Sequence, residues 1–140
     1  VDLAQIPKGE AMTYKMTPEY QKLLTEMIGE KLHKQIESKQ GIFVQLVCSC
    51  GQILLSYEAM SRHISLCNRT FRTPDDMHKV FRWLVDNGKH WDLYNYAESI
   101  YITKEVIGYA WVAEIFAWLF YDPERFNVLV AMAREEGVIK

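Results

Sequence analysis

The sequence predicts a mainly helical protein with a small ββα unit near its front and a helical bundle in its C-terminal half. Three observations carry this expectation. Helix starts recur as a capping residue, a proline and an acid: Thr17-Pro18-Glu19, Thr73-Pro74-Asp75 and Asp122-Pro123-Glu124. A β-rich run, Ile42 to Val47, meets a short returning run, Ile53 to Leu55, and then a helix capped by Ser56. All three cysteines, Cys48, Cys50 and Cys67, fall on or beside those elements together with His63.

Residues 1–15 lack steady periodicity and contain Pro7 and Gly9, so they read as a flexible arm. Residues 16–70 form the next division, a helix plus the ββα unit. From Thr17 the apolar residues Leu24, Met27, Ile28, Leu32 and Ile36 recur at three and four positions. That spacing predicts one helix to about Ser38, closed by Gly41, with His33 facing solvent. The strand run ends at Cys48, Gly51 supplies a turn, and the capped helix covers Tyr57 to about Leu66. Residues 71–140 read as the helical bundle. Met77, Val80, Phe81 and Leu84 make the buried face of a helix ended by Asn87-Gly88, and Trp91 to Tyr101 make another. Thr103 to Phe120 is apolar on nearly every face, which suits either the central helix of the core or a subunit interface. The last helix runs from the Asp122 cap to near Gly137, and the one boundary falls between Asn68 and Thr73.

Bulk properties narrow the function. A chain of 140 residues that is 49% apolar can bury a real core without metal or disulfides. A net charge of −2 excludes tight nucleic-acid binding through bulk charge. Locally, Arg62, Arg69, Arg72, Lys79, Arg82 and Lys89 outnumber Asp75, Asp76 and Asp86, and form the candidate nucleic-acid or partner surface. A solvated helix face is the alternative. An odd number of cysteines fits a disulfide framework poorly and a metal in a reducing compartment well. The N-terminus shows no secretory pattern, and Val106 to Tyr121 is too short to span a bilayer, with Glu114 inside it. The expectation is an intracellular protein, cytoplasmic or nuclear, with no membrane partner.

The cysteines and the histidine read Cys-x-Cys-x12-His-x3-Cys. His63 and Cys67, four apart on a helix, share one face, while the turn presents Cys48 and Cys50 from the strands. Three thiolates and one neutral imidazole leave Zn²⁺ with one net negative charge, the composition of a closed structural site. The alternative makes the cysteines small buried hydrophobes. Over residues 44–67 the pattern resembles the classical zinc-finger family. Leu46, Leu54 and Met60 stand at its apolar positions; the single residue between the first cysteines and a cysteine as last ligand depart from it. The resemblance implies Zn²⁺ on Cys48, Cys50, His63 and Cys67. It also implies base-reaching positions at Ser56, Glu58, Ala59 and Arg62, of which Arg62 alone has the fork for guanine and Glu58 opposes phosphate. One finger spans about three base pairs, so holding the fold or presenting a helix to another protein is the expected use.

No nucleophile elbow, phosphate-cradling glycine loop or His-Glu-x-x-His occurs, so no enzyme is expected. Residues 63–97, from Thr73-Pro74 through Val80-Phe81-Arg82-Trp83-Leu84 to Trp91-Asp92-Leu93-Tyr94-Asn95-Tyr96-Ala97, are similar to the helix-turn-helix of small terminase subunits of tailed phages. That resemblance implies a DNA-packaging ring with Lys79 and Arg82 on phosphate. The favoured expectation is a regulatory or adaptor protein, zinc-binding and non-enzymatic, contacting a protein partner on a transcription or nucleic-acid machine. Residues 103–121 are the candidate homo-oligomer contact.

Overall fold

The computed structural model describes residues 13–40, 43–105 and 111–140. The arm expected over residues 1–15 lies outside the described residues as far as residue 12, as does Gly41. The fold is mainly helical with a small antiparallel sheet, as expected. Its elements are α1 (Pro18–Met27), β1 (Gln35–Gln40), β2 (Phe43–Cys48), β3 (Ile53–Leu54), α2 (Tyr57–Cys67), α3 (Pro74–Asp86), α4 (His90–Ile100), α5 (Val112–Tyr121) and α6 (Pro123–Glu135). A π-helical turn, Tyr101–Glu105, extends α4. No helix among the described residues is long and apolar enough to cross a membrane.

The three capped starts behave as read. Thr17, Thr73 and Asp122 each accept a hydrogen bond from a backbone N–H of the first turn, with proline immediately after. Ser56 does the same for α2, accepting from Ala59 N–H at 3.0 Å.

The long first helix is corrected. α1 stops at Met27 because Gly29 takes φ +82°, a left-handed conformation that costs other residues a Cβ clash. Gly29 N–H donates to the Glu26 carbonyl at 3.1 Å and Glu30 N–H to the Thr25 carbonyl at 2.9 Å, closing the end. The chain then extends. Ile36, which fitted the helical stripe, lies on β1, where it pairs with Val47. β1 runs antiparallel to β2 from Gln35↔Cys48 to Gln40↔Phe43, and β2 pairs with β3 through Leu46↔Leu54 and Val47↔Ile53. α2 lies against this sheet. Leu46, Cys48 and Met60 are buried together, with Leu54 and Ile64 packed on them. The three apolar positions expected of the unit therefore meet in one small core.

A second, larger core belongs to the helices. α1, α3, α4 and α5 all pack on α6, whose residues from Phe126 to Ala131 are buried without a break. The central position thus falls to α6 and not to α5, the helix described within the segment Thr103 to Phe120. α5 buries Ile115 and Leu119 and leaves Val112, Ala113, Ala117 and Tyr121 exposed. Leu24 and Met27 of α1 join the helical core.

The segment expected as a boundary, Asn68 to Thr73, is a tightly held joint. Phe71 is fully buried with φ +58°. Its N–H donates to Asp76 Oδ2 at 3.0 Å, and its carbonyl accepts from Asn127 Nδ2 at 2.9 Å. Arg69 donates to both carboxylate oxygens of Glu30, at 2.7 and 3.1 Å, and to Asp76 Oδ1 at 3.0 Å.

Candidate metal centre

The turn from β2 to β3 supplies the first two donors. Gly51 N–H donates to the Cys48 carbonyl and Cys48 N–H to the Gln52 carbonyl, both at 2.8 Å. Gly51 has φ +96°, which lets so short a loop close. Cys48 is fully buried and Cys50 is exposed.

The next donor comes from upstream, through a continuation of the β1–β2 ladder. Ser49 N–H donates to the Lys34 carbonyl at 2.8 Å. Ser49 Oγ accepts from Lys34 N–H and donates to the Leu32 carbonyl, each at 3.0 Å. On the other side, Asn68 pairs with the backbone of His33: its Oδ1 accepts the His33 N–H at 2.7 Å, and its Nδ2 donates to the His33 carbonyl at 3.1 Å. His33 is therefore held between Ser49 and Asn68 with its ring at the cysteines, and its Nδ1 lies 3.5 Å from Cys48 Sγ. His63, from the middle of α2, places Nε2 3.4 Å from Cys50 Sγ. The two rings meet edge to face, centroids 5.2 Å apart.

One ligand atom from each of His33, Cys48, Cys50 and His63 lies within 4.8 Å of the others, so these four residues can hold a metal ion. Donors around a tetrahedral ion, with bonds of about 2.0–2.3 Å, stand about 3.3–3.8 Å apart. The Cys48–His33 and Cys50–His63 S···N distances fall in that range. Burial by itself would push the Cys48 thiol up. The Cys50 N–H and the His33, Cys50 and His63 side chains outweigh it and bring the thiol down to about 6, favouring the thiolate a metal needs. A cleft of about 340 Å³, bordered by His33, Cys50, Cys67, Asn68 and Arg69, opens two of the donors, His33 and Cys50, to solvent.

Of the four expected ligands, Cys48, Cys50 and His63 come together. Cys67 sits on the far side of the same imidazole, its Sγ 3.5 Å from His63 Nδ1, outside the group of four. His33 completes the group. The apolar spacing puts it on a helix facing solvent, and the signal that finds it is Gly29, read as the end of α1.

Replacing Asn68 with alanine removes both hydrogen bonds that aim His33. It is expected to weaken metal affinity about tenfold, the usual effect of losing a group that orients a ligand. A competition titration against a chromogenic chelator measures this, and unchanged affinity would refute the role.

The expected basic surface is largely paired. Arg62 lies 3.7 Å from Glu58 on the exposed side of α2, and Arg69 is held by Glu30 and Asp76. Arg72 meets Glu124 at 3.1 Å, and Lys79 reaches Glu30 at 4.0 Å. Arg82 is exposed on α3, and Lys89 is half-buried just before α4. No family model, curated protein or solved structure matches the chain, so the zinc-finger and packaging-subunit resemblances stand on the residues quoted for them alone.

Proposed function

We propose that this chain is a non-enzymatic, zinc-binding adaptor or regulator that works through contacts with another protein. The observation that carries the reading is the convergence of His33, Cys48, Cys50 and His63 with their ligand atoms within 4.8 Å of one another. Two thiolates and two neutral imidazoles suit Zn²⁺, and the charges cancel. Four protein donors leave no open coordination position for a substrate, which is the mark of a structural ion. The unit built around it exposes Ile53, Leu55, Tyr57 and Leu66, with Leu55 98% and Leu66 78% accessible. Large apolar side chains standing in water on a small unit are what a protein partner covers.

Four of the six candidate basic residues already face carboxylates, which favours a protein partner over a nucleic acid. A component of a transcription or other nucleic-acid machine fits this, in a reducing compartment of the cell. The alternative is an oligomer that grips DNA with α3 and α4 and assembles through residues 103–121. It is favoured by one feature, the three-residue turn, 87–89, that joins those two helices.

Chain purified without added metal is expected to contain one zinc per molecule by elemental analysis. A folded, fully reduced and metal-free product would sink the zinc reading. DNA affinity that falls steeply with salt, together with a high-order oligomer, would favour the packaging alternative.

A further inference from the structure

The two ring nitrogens of His63 each face a sulfur: Nε2 faces Cys50 at 3.4 Å and Nδ1 faces Cys67 at 3.5 Å. We infer that Cys67 is a positioning residue of the metal site, accepting the Nδ1–H of His63 and so keeping Nε2 turned toward the ion. The inference rests on the zinc reading and adds to it the group that orients one of its ligands.

A neutral imidazole that gives its Nε2 lone pair to a metal carries its proton on Nδ1, and that N–H needs an acceptor. Cys67 is four residues after His63, one helical turn along the same face of α2, and is the last residue of the helix. The Nδ1 and Nε2 directions of one ring diverge widely. A sulfur serving Nδ1 therefore cannot also reach an ion bound at Nε2. His33 supplies the fourth donor, which leaves Cys67 with the other task. Its backbone position is secured as well, because the next residue, Asn68, is tied to His33 by two hydrogen bonds.

The test is a Co²⁺ titration of the 140-residue chain, its Cys67→Ala variant and its Cys67→Ser variant, followed by Zn²⁺ competition. Wild type is expected to bind one Co²⁺ with visible bands of a tetrahedral ion and a thiolate-to-cobalt band for two sulfurs. Cys67→Ala is expected to keep both spectra unchanged while its affinity falls 10- to 100-fold. Cys67→Ser, which retains an acceptor, should recover most of that loss. A weaker thiolate band in Cys67→Ala would make Cys67 a ligand and overturn the inference, and so would an unchanged affinity. In both cases a metal-binding wild type leaves the zinc reading standing. A wild type that takes up no cobalt removes both.

Discussion

Cys48→Ser will abolish zinc binding and melt the sheet and α2 while the helical core stays folded. Cys48 is at once a candidate metal donor and the fully buried centre of a small core that, among the described residues, holds Leu46, Met60, Leu54 and Ile64. Ordering roughly thirty residues costs about 1–2 kcal/mol each, and units this short are usually completed by a metal or disulfides because a hydrophobic core alone does not offset it. In isolated zinc fingers the metal supplies about 10–16 kcal/mol of that deficit. Chelating the ion from wild type should have the same effect. All four tryptophans, Trp83, Trp91, Trp111 and Trp118, lie in the helical part, so their fluorescence reports that part alone. The expected result is loss of backbone exchange protection across residues 43–67 with the tryptophan emission nearly unchanged. Intact protection in the variant would show that the sheet needs no metal.

The second large effect is expected at the joint. Asp76 is 6% exposed and accepts two hydrogen bonds, one from the buried N–H of Phe71 and one from Arg69. Alanine there leaves the Phe71 N–H with no acceptor, at about 1–3 kcal/mol. It also loosens a residue held at φ +58°, where a non-glycine backbone needs firm surroundings. The Arg69 pair adds less, because that side chain is about one-third exposed and retains Glu30. Together these predict a loss of about 2–4 kcal/mol, or roughly 10 °C in melting temperature. Asp76→Asn, which keeps one acceptor for Phe71, should lose about half as much. Urea denaturation followed by tryptophan fluorescence measures both, and a loss below about 1 kcal/mol for alanine would contradict the account.

How much of this was legible depended on how local the cause was. The starts at Thr17, Ser56, Thr73 and Asp122 were readable because a cap and its first turn are neighbours in sequence. The pairing of Leu46, Leu54 and Met60 was readable because a finger-like spacing implies it. β1 was not, since Gln35–Gln40 is polar and becomes a strand only through pairing with β2. Leu32 and Ile36 then continued the stripe of Leu24 and Ile28 by coincidence of spacing, and His33 was carried onto that false helix. Of the two readings of Thr103 to Phe120, central core helix or subunit interface, the first does not hold for α5, for a related reason. Hydropathy marks which helix is most apolar, whereas burial depends on how many neighbours surround it. α6 is encircled although it carries Arg125 and Arg134, whose guanidinium groups lie over Trp118 and Trp83.

The upstream position of His33 changes what an ion would tie together. One donor precedes β1, one ends β2, one sits in the turn to β3, and the last is inside α2, so a single cation would tie the sheet to the chain before it and to the helix after it. Because only residues 28–32 separate His33 from α1, which packs on α6, the same cation would fasten the sheet to the bundle. The strength of that fastening would track the metal supply, gaining about 1.4 kcal/mol for each tenfold rise in free zinc above the dissociation constant.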